Sequence, residues 1–212
     1  MRSVSIVGIG QVPVEKQSAL SLRELGAEAV RRAMTSAQVD RVDALFAGNM
    51  LADELQGQKH IATLIASTVG LKGIEALQVR AATATGAAAL RMAYFAVASG
   101  EADLAVAMGV EKMSTMQPTS ALAKALDAEK EVPTGATLIS QNARLMALYL
   151  DRYKVPYECF ANFAINAHRN AVTNPYALFR KEVDAETVLE SRVVNAPLRL
   201  YDCSPIGDGA AA

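Results

Sequence analysis

The sequence predicts a layered α/β fold in which a largely parallel sheet is covered by helices. Four short apolar runs have the length of buried strands, and they cover residues 4–9, 42–47, 77–81 and 104–110. Helical patterns separate these runs, at residues 22–33, 58–69 and 86–99. Strands that are apolar throughout and alternate with helices are typical of a sheet covered on both faces.

The first run is expected to be a buried strand that ends at Gly8-Ile9-Gly10. These glycines match the start of a dinucleotide-binding turn, but Pro13 occupies the place of the third glycine and no helix follows at once. The sequence therefore argues against dinucleotide binding. Ser21 and Glu24 have the spacing of a capping box, which predicts that the first helix begins there.

A stretch of small residues at positions 79–90 is the centre of the predicted architecture. An apolar strand leads into it, and an Ala-rich helix that should begin near Gly86 leaves it. This arrangement places Thr83 at a helix N-terminus, where unpaired N–H groups and the helix dipole favour an anion or a reacting carbonyl. The helix at residues 86–99 is apolar on nearly every side, so it is expected to be buried centrally.

The composition and the predicted elements divide the chain into three parts. Residues 1–114 form the α/β half, and residues 115–197 form a mainly helical excursion suited to substrate contacts. The excursion has predicted helices at residues 136–153, 156–168 and 183–190, the last of them beginning near Asp184. Residues 198–212 return toward the sheet through a turn motif in which Cys203 and Asp208 are expected to be structural.

Composition excludes several classes of function. The net charge is −1 with no basic stripe, so nucleic-acid binding has no electrostatic support. The two cysteines and two histidines are not at metal-ligand spacing, and no metal site is predicted. No apolar segment is long enough to span a membrane and no signal peptide is visible, so a reducing, cytoplasmic setting is expected.

Four segments in the same order resemble the thiolase superfamily, in its sterol-carrier-type and archaeal acetyl-CoA acetyltransferase branch. They are residues 79–90, 107–114, 170–182 and 202–212. The resemblance implies a five-layered αβαβα fold made of two similar halves, of which this chain is the N-terminal one. It also implies a homodimer or higher oligomer, coenzyme A thioesters as substrates and no covalently bound cofactor.

Two departures from the family pattern bear on activity. In the family a cysteine takes the acyl group, and this sequence has Thr83 at that position. A threonine hydroxyl is far harder to ionise than a thiol, and a helix dipole worth about 0.3–1 kcal/mol does not close that gap. The chain is also expected to stop just before the last strand of the first half, to lack the C-terminal half, and so to be about half of a larger protein.

Several roles remain open at this point. Thr83 is a nucleophile or substrate contact, an N-cap of the Ala-rich helix, or both. Thr85 is expected to cap or pack, and His168 to dock a loop at the surface. Arg169, Arg180 and Lys181 could contact coenzyme A phosphates.

Three functions are compatible with these residues. The first is a thiolase-like acyl-CoA acyltransferase that forms or cleaves a carbon–carbon bond of β-ketoacyl-CoA. The second is a cysteine-less aldolase that acts on β-hydroxyacyl-CoA with a small OB-fold partner, since this chemistry needs no acyl-cysteine. The third is a non-catalytic subunit that binds acyl-CoA or lipid.

Overall fold

The computed structural model describes residues 2–212, which form two compact units. The sheet unit contains the residues up to Pro118 together with Gly207–Ala212, and the helical unit is Thr119–Ile206. The predicted boundaries at residues 114 and 197 stay a prediction. The helices are α1 (Leu22–Ala37), α2 (Ala52–Leu55), α3 (Ile61–Val69), α4 (Thr85–Ser99), α5 (Thr119–Ala123), α6 (Leu138–Tyr153), α7 (Ala161–Ala171) and α8 (Ala185–Leu189). The strands are β1 (Ala44–Gly48), β2 (Glu75–Val79), β3 (Ala105–Lys112), β4 (Val193–Asn195), β5 (Leu198–Arg199) and β6 (Asp208–Ala211).

The sheet has the strand order β2-β1-β3-β6. Strand β1 is parallel to β2 and to β3, whereas β6 is antiparallel to β3 in a register that pairs Gly109 with Ala211 and Lys112 with Asp208. The chain was expected to stop before this last strand, and the expectation is wrong because β6 already begins at Asp208.

The predicted strand at residues 4–9 is also wrong. Its apolar side chains are largely exposed, with Ile6 at 77% and Ile9 at 73%. Backbone pairing begins only at Gly10, whose N–H donates to Ala212 O at 2.8 Å, and continues at Val12, whose N–H donates to Ala210 O at 3.0 Å. Residues 4–9 have no ladder partner within residues 2–212, so an apolar run alone did not make a strand.

The other predicted elements of the sheet unit form close to their expected places. The capping box predicted at Ser21 and Glu24 is present, and Gly70 ends α3 in the left-handed conformation. The helix predicted at residues 58–69 begins later, at Ile61, because His60 is in the left-handed conformation and occupies the N-cap position. Strand β2 lies two residues earlier than the predicted run at 77–81.

The two faces of the sheet are covered differently. Helices α1 and α3 pack on one face, where the core includes Leu25, Val30, Ile65, Met108 and Val110. Helix α4 packs on the other face through the small side chains of Ala89 and Ala93. The prediction that α4 is buried centrally is met on its sheet side. Its other side is open among the described residues, where Leu90, Met92, Tyr94 and Phe95 are between 38% and 52% exposed. The small residues allow a close approach to the sheet, and the large ones lie on the opposite side of the helix.

The helical unit has its own small cores. Ala143 and Met146 of α6 pack with Leu198, and Ala161 and Ala164 of α7 pack with Val188. Helix α8 begins next to Asp184, as predicted, and the Asp184 side chain caps it by accepting a hydrogen bond from Thr187 N. Within residues 2–212, no helix combines the length and apolarity needed to cross a lipid bilayer.

Candidate functional site

The turn that joins β2 to α4, here called the reaction turn, comprises residues 80–85. Ala82 has a φ of +47°, a conformation that L-residues adopt at a cost of about 1–2 kcal/mol. The buried Thr85 hydroxyl holds this conformation: it accepts a hydrogen bond from Ala81 N at 3.1 Å and donates to the carbonyl of Ala82. The prediction that Thr85 caps or packs is confirmed, and the turn is locally fixed rather than loose.

Two glycines bring the reaction turn close to the ends of the strands. A Cβ on Gly48, the last residue of β1, would lie 2.8 Å from the backbone oxygen of Thr85. A Cβ on Gly109 of β3 would lie 3.8 Å from Gly86 Cα, an ordinary contact. The turn therefore lies over the carboxyl ends of β1 and β3, the edge where open α/β sheets bind ligands.

Thr83 is at the exposed tip of the reaction turn. The expectation that it caps α4 is wrong, because Ala84 occupies the N-cap position and no side chain caps the helix. Within residues 2–212 no hydrogen bond engages the Thr83 hydroxyl. The N–H groups of Ala84 and Thr85 already donate to Ala81 O at 2.9 Å and to Ala82 O at 3.3 Å. The N–H groups that can bind a developing oxyanion near Thr83 are therefore the next ones in the first turn of α4. Its role as the nucleophile stays a prediction.

Arg80 carries the positive charge at the entrance to the turn. Its guanidinium makes two hydrogen bonds to Asp53 of α2, each at 2.9 Å. The hydrogen bond from Arg80 holds the pKa of Asp53 below its usual value. Arg80 is only half-buried, and it is part of the strand end that leads directly to Ala81.

Glu111 is a functional candidate that was not singled out from the sequence, although it lies in the segment at residues 107–114. Along β3, Ala105, Ala107 and Gly109 face α4, so the strand alternation directs Glu111 to the same face. One carboxylate oxygen accepts a hydrogen bond from Met50 N, just beyond β1. The other oxygen, Oε2, is buried and has no partner among residues 2–212. Its position at the carboxyl end of a predicted parallel strand was the signal that could have found it.

The environment of Glu111 disfavours its charge. Burial raises the pKa of Glu111 above its usual value, against the opposing effect of the Met50 and Leu51 N–H groups and of Arg80. Asn49 follows the last residue of β1. Its fully buried side chain donates to Val110 O at 2.8 Å and accepts from Ala52 N at 2.8 Å. The ends of β1 and β3 are thereby tied together under the reaction turn.

Asp208 forms a second polar network, on the face of the sheet that α1 covers. Its oxygens accept hydrogen bonds from Ser18 N at 2.9 Å, from Ser114 N at 3.0 Å and from Ser114 Oγ at 2.6 Å. Lys112 Nζ lies 3.2 Å from the carboxylate and donates to Ser18 O at 2.6 Å. These contacts join β3, β6 and the segment before α1, which agrees with the structural role expected for Asp208.

In the helical unit, His168 docks a loop as expected. Its Nδ1 is 2.9 Å from Lys181 O, and its ring stacks on Phe179 and meets the edge of Tyr201. Arg180 and Lys181 are exposed. Their predicted contact with coenzyme A phosphates stays a prediction. Cys159 and Cys203 are both free thiols.

Neither a metal-binding group nor the pocket found elsewhere in residues 2–212 adds anything to the reaction turn. Residues 2–212 contain no group of three or more His, Cys, Asp or Glu side chains placed to hold a metal ion. A pocket of about 160 Å³ lies at the starts of α1 and α3, between Ser21, Gln56 and Leu64, and it includes no residue of the reaction turn.

The fold and the reaction turn together define a thiolase-type α/β domain. The family model "Thiolase, N-terminal domain" matches residues 4–212, and the chain belongs to the thiolase family. The predicted family and fold class are confirmed.

Relatives agree with this assignment. The chain is 42% identical to the acetyl-CoA acetyltransferase of Methanocaldococcus jannaschii and 41% identical to that of Methanothermobacter thermautotrophicus, covering 100% of this chain and 55% and 56% of the relatives. It is 29% identical to human sterol carrier protein 2, over 100% of this chain and 41% of that protein. The chain thus spans about half the length of the two archaeal enzymes.

Solved structures show the same fold. The Ltp2-ChsH2(DUF35) aldolase matches 97% of this chain and 53% of its own, with a TM-score of 0.78 and 26% identity. Acetyl-CoA acetyltransferase from Syntrophomonas wolfei matches 97% of this chain and 62% of its own, with a TM-score of 0.75 and 17% identity.

Proposed function

We propose that the whole protein acts on acyl-CoA thioesters as an acyltransferase of the acetyl-CoA acetyltransferase type. The observation that carries the proposal is the reaction turn, with its exposed Thr83 beside the uncapped start of α4. The names of the two archaeal relatives support the reaction class. The substrate is the coenzyme A thioester itself, and the proposal needs no bound cofactor.

The proposed cleavage reaction uses the turn in two ways. The group at position 83 attacks the β-keto carbonyl and loses its proton, while N–H groups at the start of α4 stabilise the oxyanion. The Cα–Cβ bond then breaks, and its electron pair forms the enolate of acetyl-CoA, which takes up a proton. The thiol of coenzyme A next attacks the acyl group, and its proton returns to the group at position 83.

Thr83 gives a specific reason for a second candidate, an aldolase that acts on β-hydroxyacyl-CoA. Here a base removes the β-hydroxyl proton, the Cα–Cβ bond breaks, and an aldehyde or ketone leaves an acyl-CoA enolate that is then protonated. No acyl-enzyme forms, so this reaction does not need a cysteine at position 83. The likeness to the Ltp2-ChsH2(DUF35) aldolase supports this candidate, and a small OB-fold partner belongs to it.

The proposal includes a homodimer or higher oligomer in a reducing, cytoplasmic setting. Strand β2 is at the edge of the sheet formed by the described residues, and one of its sides has no strand neighbour there. Such an edge is a ready site for pairing with another chain. The apolar side chains exposed on α4 also favour burial by a partner.

Parallel assays of the purified whole protein test the two reactions. Coenzyme A-dependent loss of acetoacetyl-CoA supports the acyltransferase, and release of a ketone or aldehyde from a β-hydroxyacyl-CoA supports the aldolase. Binding of coenzyme A with neither turnover contradicts both and leaves a non-catalytic acyl-CoA or lipid-binding subunit. Thr83→Cys sharpens the test: if thiolysis stays undetectable in this variant, more than the nucleophile differs from an active thiolase.

A further inference from the structure

The carboxylate of Glu111 is only partly satisfied by hydrogen bonds. One carboxylate oxygen is fixed by the hydrogen bond from Met50 N, while Oε2 is buried and unpartnered among residues 2–212. Leaving a buried polar atom without a partner destabilises the folded state, and more so for a charged group. A structural carboxylate has no need of such a cost, and native proteins keep such groups mainly where they serve function.

The location of Glu111 connects it to the reaction turn. It lies two residues beyond Gly109, on the same face of β3, and the space above Gly109 is filled by Gly86 at the start of α4. The positive charge of Arg80, the first residue of the turn, opposes the rise that burial causes in the pKa of Glu111. Glu111 therefore lies on the face of β3 that packs against the start of α4, and its charge is coupled to that of Arg80.

We propose that Glu111 is a positioning residue whose charge, acting partly through Arg80, controls the ionisation of the group at position 83. When Glu111 is ionised, its negative charge opposes a second negative charge on the turn. When it is neutral, Arg80 and the start of α4 act on the turn without that opposition, and an oxyanion or enolate forms more easily. The inference rests on the proposed function only in taking the turn as the reaction site.

The charged residues near the turn belong to several neighbouring elements. Asp53 of α2 is paired with Arg80, and Glu54 on the same helix is exposed. Lys112 points to the other face of β3, where it meets Asp208. The first residue of α4 that carries a full charge is Arg91, six residues after the helix begins at Thr85. Lys59, which precedes α3, adds a positive charge that acts on Asp53. Glu111, Lys59 and the Arg80–Asp53 pair are thus the charges near the turn on this face.

The test measures a thiol placed at position 83, so it does not depend on turnover. In the whole protein carrying Thr83→Cys, the rate of alkylation by iodoacetamide is followed from pH 5 to 10. Adding Glu111→Gln should speed alkylation at pH 7 by about three- to tenfold, because removing a nearby negative charge makes the thiol more acidic. Adding Glu101→Gln, an exposed site remote from the turn, is the matched control and should leave the rate unchanged.

Equal rates with Glu111→Gln and Glu101→Gln would overturn the proposal. If Glu111→Gln does not fold, as judged by its thermal transition, Arg80→Gln at its half-exposed site replaces it. Loss of that cation should slow alkylation, and an unchanged rate contradicts the proposal equally. Absence of both thiolysis and aldol cleavage, together with a normal Glu111 effect on the thiol, would instead count against the proposed function alone.

Discussion

Glu111 and Asp208 lie at the same end of the sheet but differ in how fully they are bonded. Asp208 is completely buried on the face that α1 covers, and both of its oxygens accept hydrogen bonds. Glu111 lies on the α4 face, with one oxygen bonded and the other bare. A fully satisfied carboxylate stabilises the fold, whereas a half-satisfied one beside a strained turn indicates a functional constraint.

The pKa values of the two groups follow the same contrast. For Asp208, burial raises the pKa, but the hydrogen bonds from Ser114 and Ser18 outweigh it, and the net pKa is lowered. For Glu111, burial dominates and the pKa is raised. The difference lies in the hydrogen-bond donors. Lys112 also donates to Asp208. At Glu111 the Met50 and Leu51 N–H groups and the Asn49 side chain lower the pKa by less than burial raises it.

The largest expected effect is that of Asp208→Asn. This change leaves the mostly buried Lys112 without its counter-charge and should lower the free energy of unfolding by about 3–5 kcal/mol. Urea unfolding followed by circular dichroism measures it. Asp103→Asn removes a carboxylate from an exposed ion pair with Arg2 and should cost less than about 1 kcal/mol. Similar losses in the two variants would contradict the structural role of Asp208.

Asp208 also predicts a pH dependence. Its folded-state pKa is below its unfolded value, so the unfolded chain binds more protons in this range. The stability from Asp208 is therefore present above the unfolded pKa and is lost as the pH falls through the folded one. Urea midpoints between pH 7 and pH 3 should fall less steeply in Asp208→Asn than in the parent protein; equal slopes would contradict the assignment.

The next effect concerns how closely the turn approaches the sheet. Gly48→Ala places a methyl group 2.8 Å from the Thr85 backbone oxygen and should cost about 1–3 kcal/mol and displace the reaction turn. Gly109→Ala meets only an ordinary contact at 3.8 Å and should be the milder change. Thermal unfolding and proteolysis after Arg80 compare them. Equal losses of stability in the two variants would mean that the missing side chain at Gly48 does not determine the position of the turn.

Thr85 and Thr83 form a third pair, two residues apart in one turn. Thr85→Val keeps the shape but removes hydrogen bonds to Ala81 N and the Ala82 carbonyl, which should cost about 1–3 kcal/mol. Thr83→Val changes an exposed, unbonded hydroxyl and should stay within about 0.5 kcal/mol. Chemical unfolding measures both. A larger loss for Thr83→Val would show that its hydroxyl is structural.

The smallest expected effect is that of Glu111→Gln on stability. Because the pKa of Glu111 is raised by folding, its favourable contribution is present below the unfolded pKa and is lost as the pH rises through the folded one. At pH 7 the neutral glutamine should therefore be no worse than glutamate, with a gain of up to about 1 kcal/mol. Urea unfolding at pH 4 and pH 7 checks this, and a clear loss at pH 7 would make Glu111 a structural carboxylate like Asp208.

Local signals in the sequence predicted much of this fold. The capping box at Ser21, the stop at Gly70 and the cap at Asp184 all depend on residues close in the chain, and all three are present. The segment at residues 4–9 was wrong because a strand also needs a distant partner. Periodicity also does not say how many layers cover a helix, and among the described residues α4 is covered on its sheet side.

The candidate site was predictable only in outline. The small residues and their order placed the turn, but the different roles of Thr83 and Thr85 depend on the αL conformation of Ala82. The sequence places Glu111 at the end of a predicted strand, but its unpartnered oxygen and the packing of Gly86 over Gly109 are visible only in the structure.

The central claim is that acyl-CoA chemistry takes place at the turn carrying Thr83. The direct test incubates whole protein carrying Thr83→Cys with acetoacetyl-CoA, followed by trypsin digestion and mass spectrometry. The account predicts that the peptide spanning residues 81–91 gains the mass of one acetyl group, and that added coenzyme A removes it. An unmodified peptide 81–91, with acetylation at Cys159 or Cys203 or nowhere, would contradict the claim.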